Sequence, residues 1–139
     1  MTSSSTAVSA APPTDLYADF KSALTVAMTL NVFVGLMELL FPSTVVHLLG
    51  LPPALSIEWV SYAGLFLIIL TGTYVPLRLF PEANLYMAHY VIGLRFVFVV
   101  FFLWAGGGFL WFALFDAIFG IWLATTYWRG FQAELMANP

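Results

Sequence analysis

Residues 109–128 read FLWFALFDAIFGIWLATTYW, and this stretch decides the fold. A helix of about 20 apolar residues crosses the hydrocarbon core of a bilayer. The one charged side chain in it, Asp116, stands near the middle. An ionised carboxylate at that depth is costly unless it finds a partner, so the rest of the chain must supply one.

The preceding apolar run, 85–104, carries Arg95 close to its centre, with His89 and Tyr90 about a turn inside its start. Ala105 and the glycines 106–108 separate the two runs, which predicts an antiparallel hairpin. Arg95 stands nine residues before Trp104 and Asp116 seven after Phe109. At a rise of about 1.5 Å per residue, both lie roughly 10–14 Å below the same membrane face. Opposite charges at matched depth on adjacent helices predict a buried ion pair.

Two further apolar runs, 22–41 and 57–80, complete four predicted spans. The expectation is an all-α polytopic membrane protein, four transmembrane helices in an antiparallel bundle. In the first span Asn31, Gly35 and Glu38 follow at i, i+4 and i+7 and share one helical face. Asn31 falls at the depth of the Arg95–Asp116 pair and should join it, with Glu38 one to two turns nearer the surface. The second span opens on an interfacial belt of Glu58, Trp59 and Tyr62 and offers Ser61, Gly64, Thr71 and Gly72 for close helix approach. Pro76 predicts a kink near Thr73 and Tyr74, where the Tyr74 hydroxyl is a candidate hydrogen-bond partner.

The flanks are short. Residues 1–20 read as a flexible cytoplasmic tail and interfacial start, with Thr14 as helix cap, 21–130 as the membrane domain, and 131–139 as a C-terminal tail. Residues 43–50, STVVHLLG, are too few to span and read as a surface helix capped by Ser43 or Thr44 and ended by Gly50. Lys21, Arg78 and Arg129 all fall on the face shared by the termini, which places both termini in the cytoplasm.

Composition narrows the chemistry. Of 139 residues 62% are hydrophobic and 8% charged, where a soluble domain carries about 25% charged residues. The net charge of −3 gives no basic patch for nucleic acid. With no cysteine there is no thiolate nucleophile, cysteine-ligated zinc or iron–sulfur cluster. His47 and His89 fall near opposite membrane faces, so one haem cannot bridge them within a monomer, and no zinc set of three or four ligands is present. No cofactor or metal is expected.

The run 35–42, GLMELLFP, followed by 48–52, LLGLP, resembles the first-span exit of small DoxX-like four-helix membrane proteins. The glycine-bearing second span, the arginine of the third and the acid of the fourth extend the likeness over about residues 22–130. The resemblance implies the four-helix fold, a membrane location and an accessory role beside a redox complex. It assigns no catalytic residue.

Several functions remain open at this level. The favoured one is a non-catalytic accessory or assembly subunit of a membrane complex, in which the cluster Asn31, Glu38, Arg95, Asp116 and Tyr74 fixes helix register. In the alternative, the same residues line the site of an intramembrane isomerase, cyclase or oxidoreductase component for a lipophilic substrate, with Asp116 or Glu38 as acid or base. A small proton-coupled transporter using Glu38 is a third. The expected partners are the lipid bilayer and other membrane proteins or further copies of this chain.

Overall fold

The structure is a computed structural model and describes residues 15–52 and 57–137. Among these it is helical, with no strand: α1 (Ala18–Leu40), α2 (Pro42–Leu49), α3 (Ile57–Gly72), α4 (Val75–Leu79), α5 (Leu85–Ala105) and α6 (Leu110–Ala137), with a 3-10 turn at Gly107–Phe109 before α6. Four stretches are long and apolar enough to cross a membrane: Ala18–Leu40, Ile57–Leu79, Leu85–Ala105 and Gly107–Ala137. The chain is therefore built as a four-span bundle with α2 as a short extra helix.

Asp15 starts α1. Its carboxylate accepts a hydrogen bond from the Tyr17 backbone N–H at 3.1 Å and pairs with Lys21 Nζ at 2.9 Å, which ties the incoming chain to the first helical turn. The pair with Lys21 holds the Asp15 carboxyl below its ordinary range. Thr14 lies outside the described residues. At the other end α1 stops at Phe41 and Pro42 opens α2, so Pro42 rather than Ser43 or Thr44 makes the start. A proline there sacrifices only an N–H that a first helical turn leaves unused. Gly50, in the left-handed region at φ 62°, ends α2 as the sequence predicts.

The second span breaks at Thr73 and Tyr74, just ahead of Pro76. Tight bonds from Thr73 N to Leu70 O (3.1 Å) and Tyr74 N to Thr71 O (3.0 Å) carry the chain through the break. Pro76 has no N–H for the carbonyl four residues back, and the hydroxyls that bond carbonyls nearby are those of Thr71 and Thr73, which donate to Leu67 O and Leu70 O at 2.7 and 2.6 Å. Tyr74, expected to do this, is instead packed into the core with its neighbour Leu77. Asn84 then closes α4, its Nδ2 donating to Phe80 O at 2.7 Å.

Packing follows from where side chains are small. α1 sits centrally, against α3 on one side and α6 on another, and α6 carries α5. The α1–α3 crossing is tight because Gly35 and Gly64 face each other: a Cβ on Gly35 would lie 2.8 Å from Gly64 O. Such contacts substitute for the hydrophobic drive that lipid removes. At the opposite contact of α1, Gly130 of α6 lies against Leu16 and Tyr17.

The last helix does not stop near Trp128. It runs on to Ala137, so the expected tail over 131–139 is helical through that residue. The buried pattern Gly120, Leu123, Tyr127 continues into Gly130, which keeps one face against α1 for another turn. Tyr17 Oη donates to Glu134 Oε2 at 2.5 Å, joining the start of α1 to the end of α6. Arg78 Nε donates to Thr25 Oγ1 at 2.6 Å, so the second span ends beside the same part of α1. Both described chain ends and the α4–α5 connection thus share one end of the bundle.

The apolar core fills that terminal end. Phe20, Leu24, Ala27, Leu77, Val91, Leu123 and Tyr127 are buried there. On α5 the buried residues are Ala88, Val91 and Arg95, and none follows Arg95. The polar cluster marks the level at which the core ends.

Candidate functional site

Three helices bring the predicted cluster together. Arg95 of α5 is 4% exposed, and its Nη1 donates to Asp116 Oδ1 of α6 at 2.7 Å. Nη2 reaches Asn31 Oδ1 of α1 at 3.3 Å, a long and weaker bond. Gly120, one turn beyond Asp116, lies against the arginine stem: a Cβ there would stand 3.5 Å from Arg95 Cβ, an ordinary contact. The guanidinium carbon lies 5.9 and 5.7 Å from the ring centres of Phe115 and Phe119, within cation–π range. Arg95 Nε is sealed and has no partner among the described residues. Asp116 keeps slightly more access, with 13% of its side chain exposed.

The other candidates are placed apart from this cluster. Glu38 is 7% exposed, packed beside Gly64 at the α1–α3 crossing, and makes no hydrogen bond or ion pair among the described residues. Asn31 and Glu38 share a face, but seven residues of helix, about 10 Å of rise, lie between them. Tyr74 is 3% exposed and makes no side-chain hydrogen bond to Asn31, Arg95 or Asp116. The five residues therefore form one bonded triad and two separate members.

The histidines stand apart. His47 is exposed on α2, and His89 Nδ1 lies 2.7 Å from Leu85 O with its ring edge-on to Tyr127 at 5.4 Å. Among the described residues no three His, Asp or Glu side chains are grouped to hold a metal ion.

Two shallow, open hollows, about 380 and 420 Å³, lie on α2 and share Ser43 and His47. Neither is lined by Asn31, Arg95 or Asp116.

The terminal end holds a cluster that the sequence reading passes over. Tyr17, Phe20, His89 and Phe131 ring Tyr127, with centre-to-centre distances of 5.3 to 6.4 Å. Burial, helped by the bond to Glu134, raises the Tyr17 phenol well above its ordinary range. The signal was present: Tyr127, Gly130 and Glu134 continue the inward face at helical spacing through an apparent tail.

No protein-family model, curated protein or solved structure matches this chain.

Proposed function

We propose that this chain is a non-catalytic accessory or assembly subunit of a membrane complex, with both termini in the cytoplasm. One observation carries the reading. The most chemically potent groups in the membrane, Arg95 and Asp116, are spent on each other and on Asn31, tying α5, α6 and α1 together between phenylalanine rings. A catalytic carboxylate needs a substrate within hydrogen-bond reach, whereas this one is engaged by the arginine of its own bundle. Paired charges of this kind serve register, because a wrong alignment strands a charge in hydrocarbon.

Orientation follows from charge. Lys21, Arg78 and Arg129 belong to the end of the bundle that carries both described chain ends, and basic residues favour the cytoplasmic side. The likeness to DoxX-like membrane proteins belongs to the same proposal and points toward a redox-linked complex.

Native mass spectrometry of the tagged protein, gently extracted from its own membrane, tests this. The proposal predicts masses that contain added protein chains. A monomer or homodimer carrying a defined lipophilic small molecule would refute it in favour of an enzyme or carrier.

A further inference from the structure

Glu38 is a carboxyl inside the first span that no side chain among the described residues answers. The chain has four basic side chains, and each is committed or distant. Arg95 is held by Asp116 and Asn31, Lys21 pairs with Asp15, and Arg78 donates to Thr25. Arg129 lies on α6 thirteen residues past Asp116, toward the terminal end. Glu38 is near the far end of α1, three residues before Phe41.

The groups on the elements around it do not reach it either. α3 brings Gly64 against Glu38 and carries Glu58 and Tyr62, both exposed, toward its start. α2 carries His47, also exposed. None of these makes a hydrogen bond or ion pair to Glu38 among the described residues. Yet the carboxyl is not shut in. Arg95 Nε and Tyr127 Oη are the sealed, partnerless side-chain atoms of the described residues, and the Glu38 oxygens are not among them. They keep a trace of accessible surface about 3–5 Å of helical rise from the end of the span.

A buried carboxyl with neither cation nor donor is tolerated in hydrocarbon as the neutral acid. The geometry points to Glu38 as a proton-binding site, taking its proton from and returning it to the aqueous phase at the end of the bundle opposite the termini. Asp116, deeper and ion-paired, is the internal contrast: it has a counter-ion and needs no proton. The site is independent of whether the bundle serves a partner. Because Glu38 sits at the glycine crossing of α1 and α3, its proton is also the one whose loss would place a bare charge between those two helices.

Dicyclohexylcarbodiimide is the probe, since this apolar reagent attacks protonated carboxyls in membranes and leaves an N-acylurea adduct. The full chain in vesicles is treated over a range of external pH, then mapped by peptide mass. One adduct, on Glu38, is expected. It should slow as the medium becomes alkaline, and it should be lost in Glu38→Gln, while Asp116 stays unmodified. Infrared difference spectra on a pH jump supply the second readout: a protonated-carboxyl band that Glu38→Gln removes. An unlabelled wild type, labelling that persists in Glu38→Gln, or a rate indifferent to pH would each overturn the assignment.

Discussion

Replacing Asp116 by Leu leaves the Arg95 guanidinium in place, its side chain 5% exposed, with only the 3.3 Å bond to Asn31 and two aromatic rings around it. Replacing Arg95 by Met strands Asp116 in the same way. Removing one partner of a buried pair costs about 3–5 kcal/mol. That is a large share of the roughly 5–15 kcal/mol that holds a folded domain together. Exchanging both partners for apolar side chains removes the stranded charge and is often nearly neutral. The double variant Arg95→Met, Asp116→Leu should therefore recover most of what either single variant loses. With each single variant costing about 3–5 kcal/mol and the double nearly nothing, the coupling energy should be about 6 kcal/mol or more, above the roughly 0.5–3 kcal/mol that contacting residues ordinarily show. Reversible unfolding of the purified protein in mixed micelles, titrated with sodium dodecyl sulfate, measures all four corners of the cycle. Single variants that each cost less than about 1 kcal/mol and add simply would refute the reasoning, since the charges would then find water or other partners when separated.

Three smaller tests use the same titration. Gly64→Ala places a Cβ on Gly35 O and 2.8 Å from Glu38 Cβ, so α1 and α3 must part, at about 1–3 kcal/mol; Gly72→Ala, with nothing within 4 Å, is the neutral control. Asn31→Leu removes a long bond and should cost only about 0.6 kcal/mol, the average for interhelical bonds in membranes. Tyr17→Phe removes the bond to Glu134 and should cost about 1 kcal/mol. Because the Tyr17 phenol is raised, the folded state favours its protonated form. That contribution is complete below the ordinary tyrosine value of about 10 and declines as pH rises through and beyond it. Wild type should therefore lose more stability than Tyr17→Phe between pH 9 and 11, both values set around that pKa of about 10.

The architecture was legible because bilayer physics leaves few choices. Four apolar runs of spanning length, broken by Pro and Gly, predict four helices, and charge depth alone pairs Arg95 with Asp116. Depth works for that pair because the third and fourth runs are joined by a short turn, so one shared origin fixes both positions. It works less well for Glu38, whose surroundings depend on which helix crosses α1 and how closely. Gly35 and Gly64 decide that, and the sequence offers several small residues with no indication of which of them meet. Tyr74 shows a similar limit. A hydroxyl beside a proline break is a natural partner for freed carbonyls, but the Tyr74 ring is buried in the core, and the hydroxyls that bond carbonyls nearby are those of Thr71 and Thr73, three and one residues before it. At the C-terminus, Trp128 and Arg129 have the character of a membrane boundary and suggest that the span ends there, while α6 continues to Ala137 because Tyr127 and Gly130 keep an inward face at helical spacing.

The central claim is that Arg95 and Asp116 hold the bundle together and perform no chemistry. The most direct measurement compares wild type with the Arg95→Met, Asp116→Leu double variant by native mass spectrometry, each extracted from its own membrane. The account predicts the same added protein chains on both, because the double variant keeps the packing and loses only the charges. A lipophilic ligand carried by wild type and missing from an equally folded double variant would contradict it, and would make the pair a binding site.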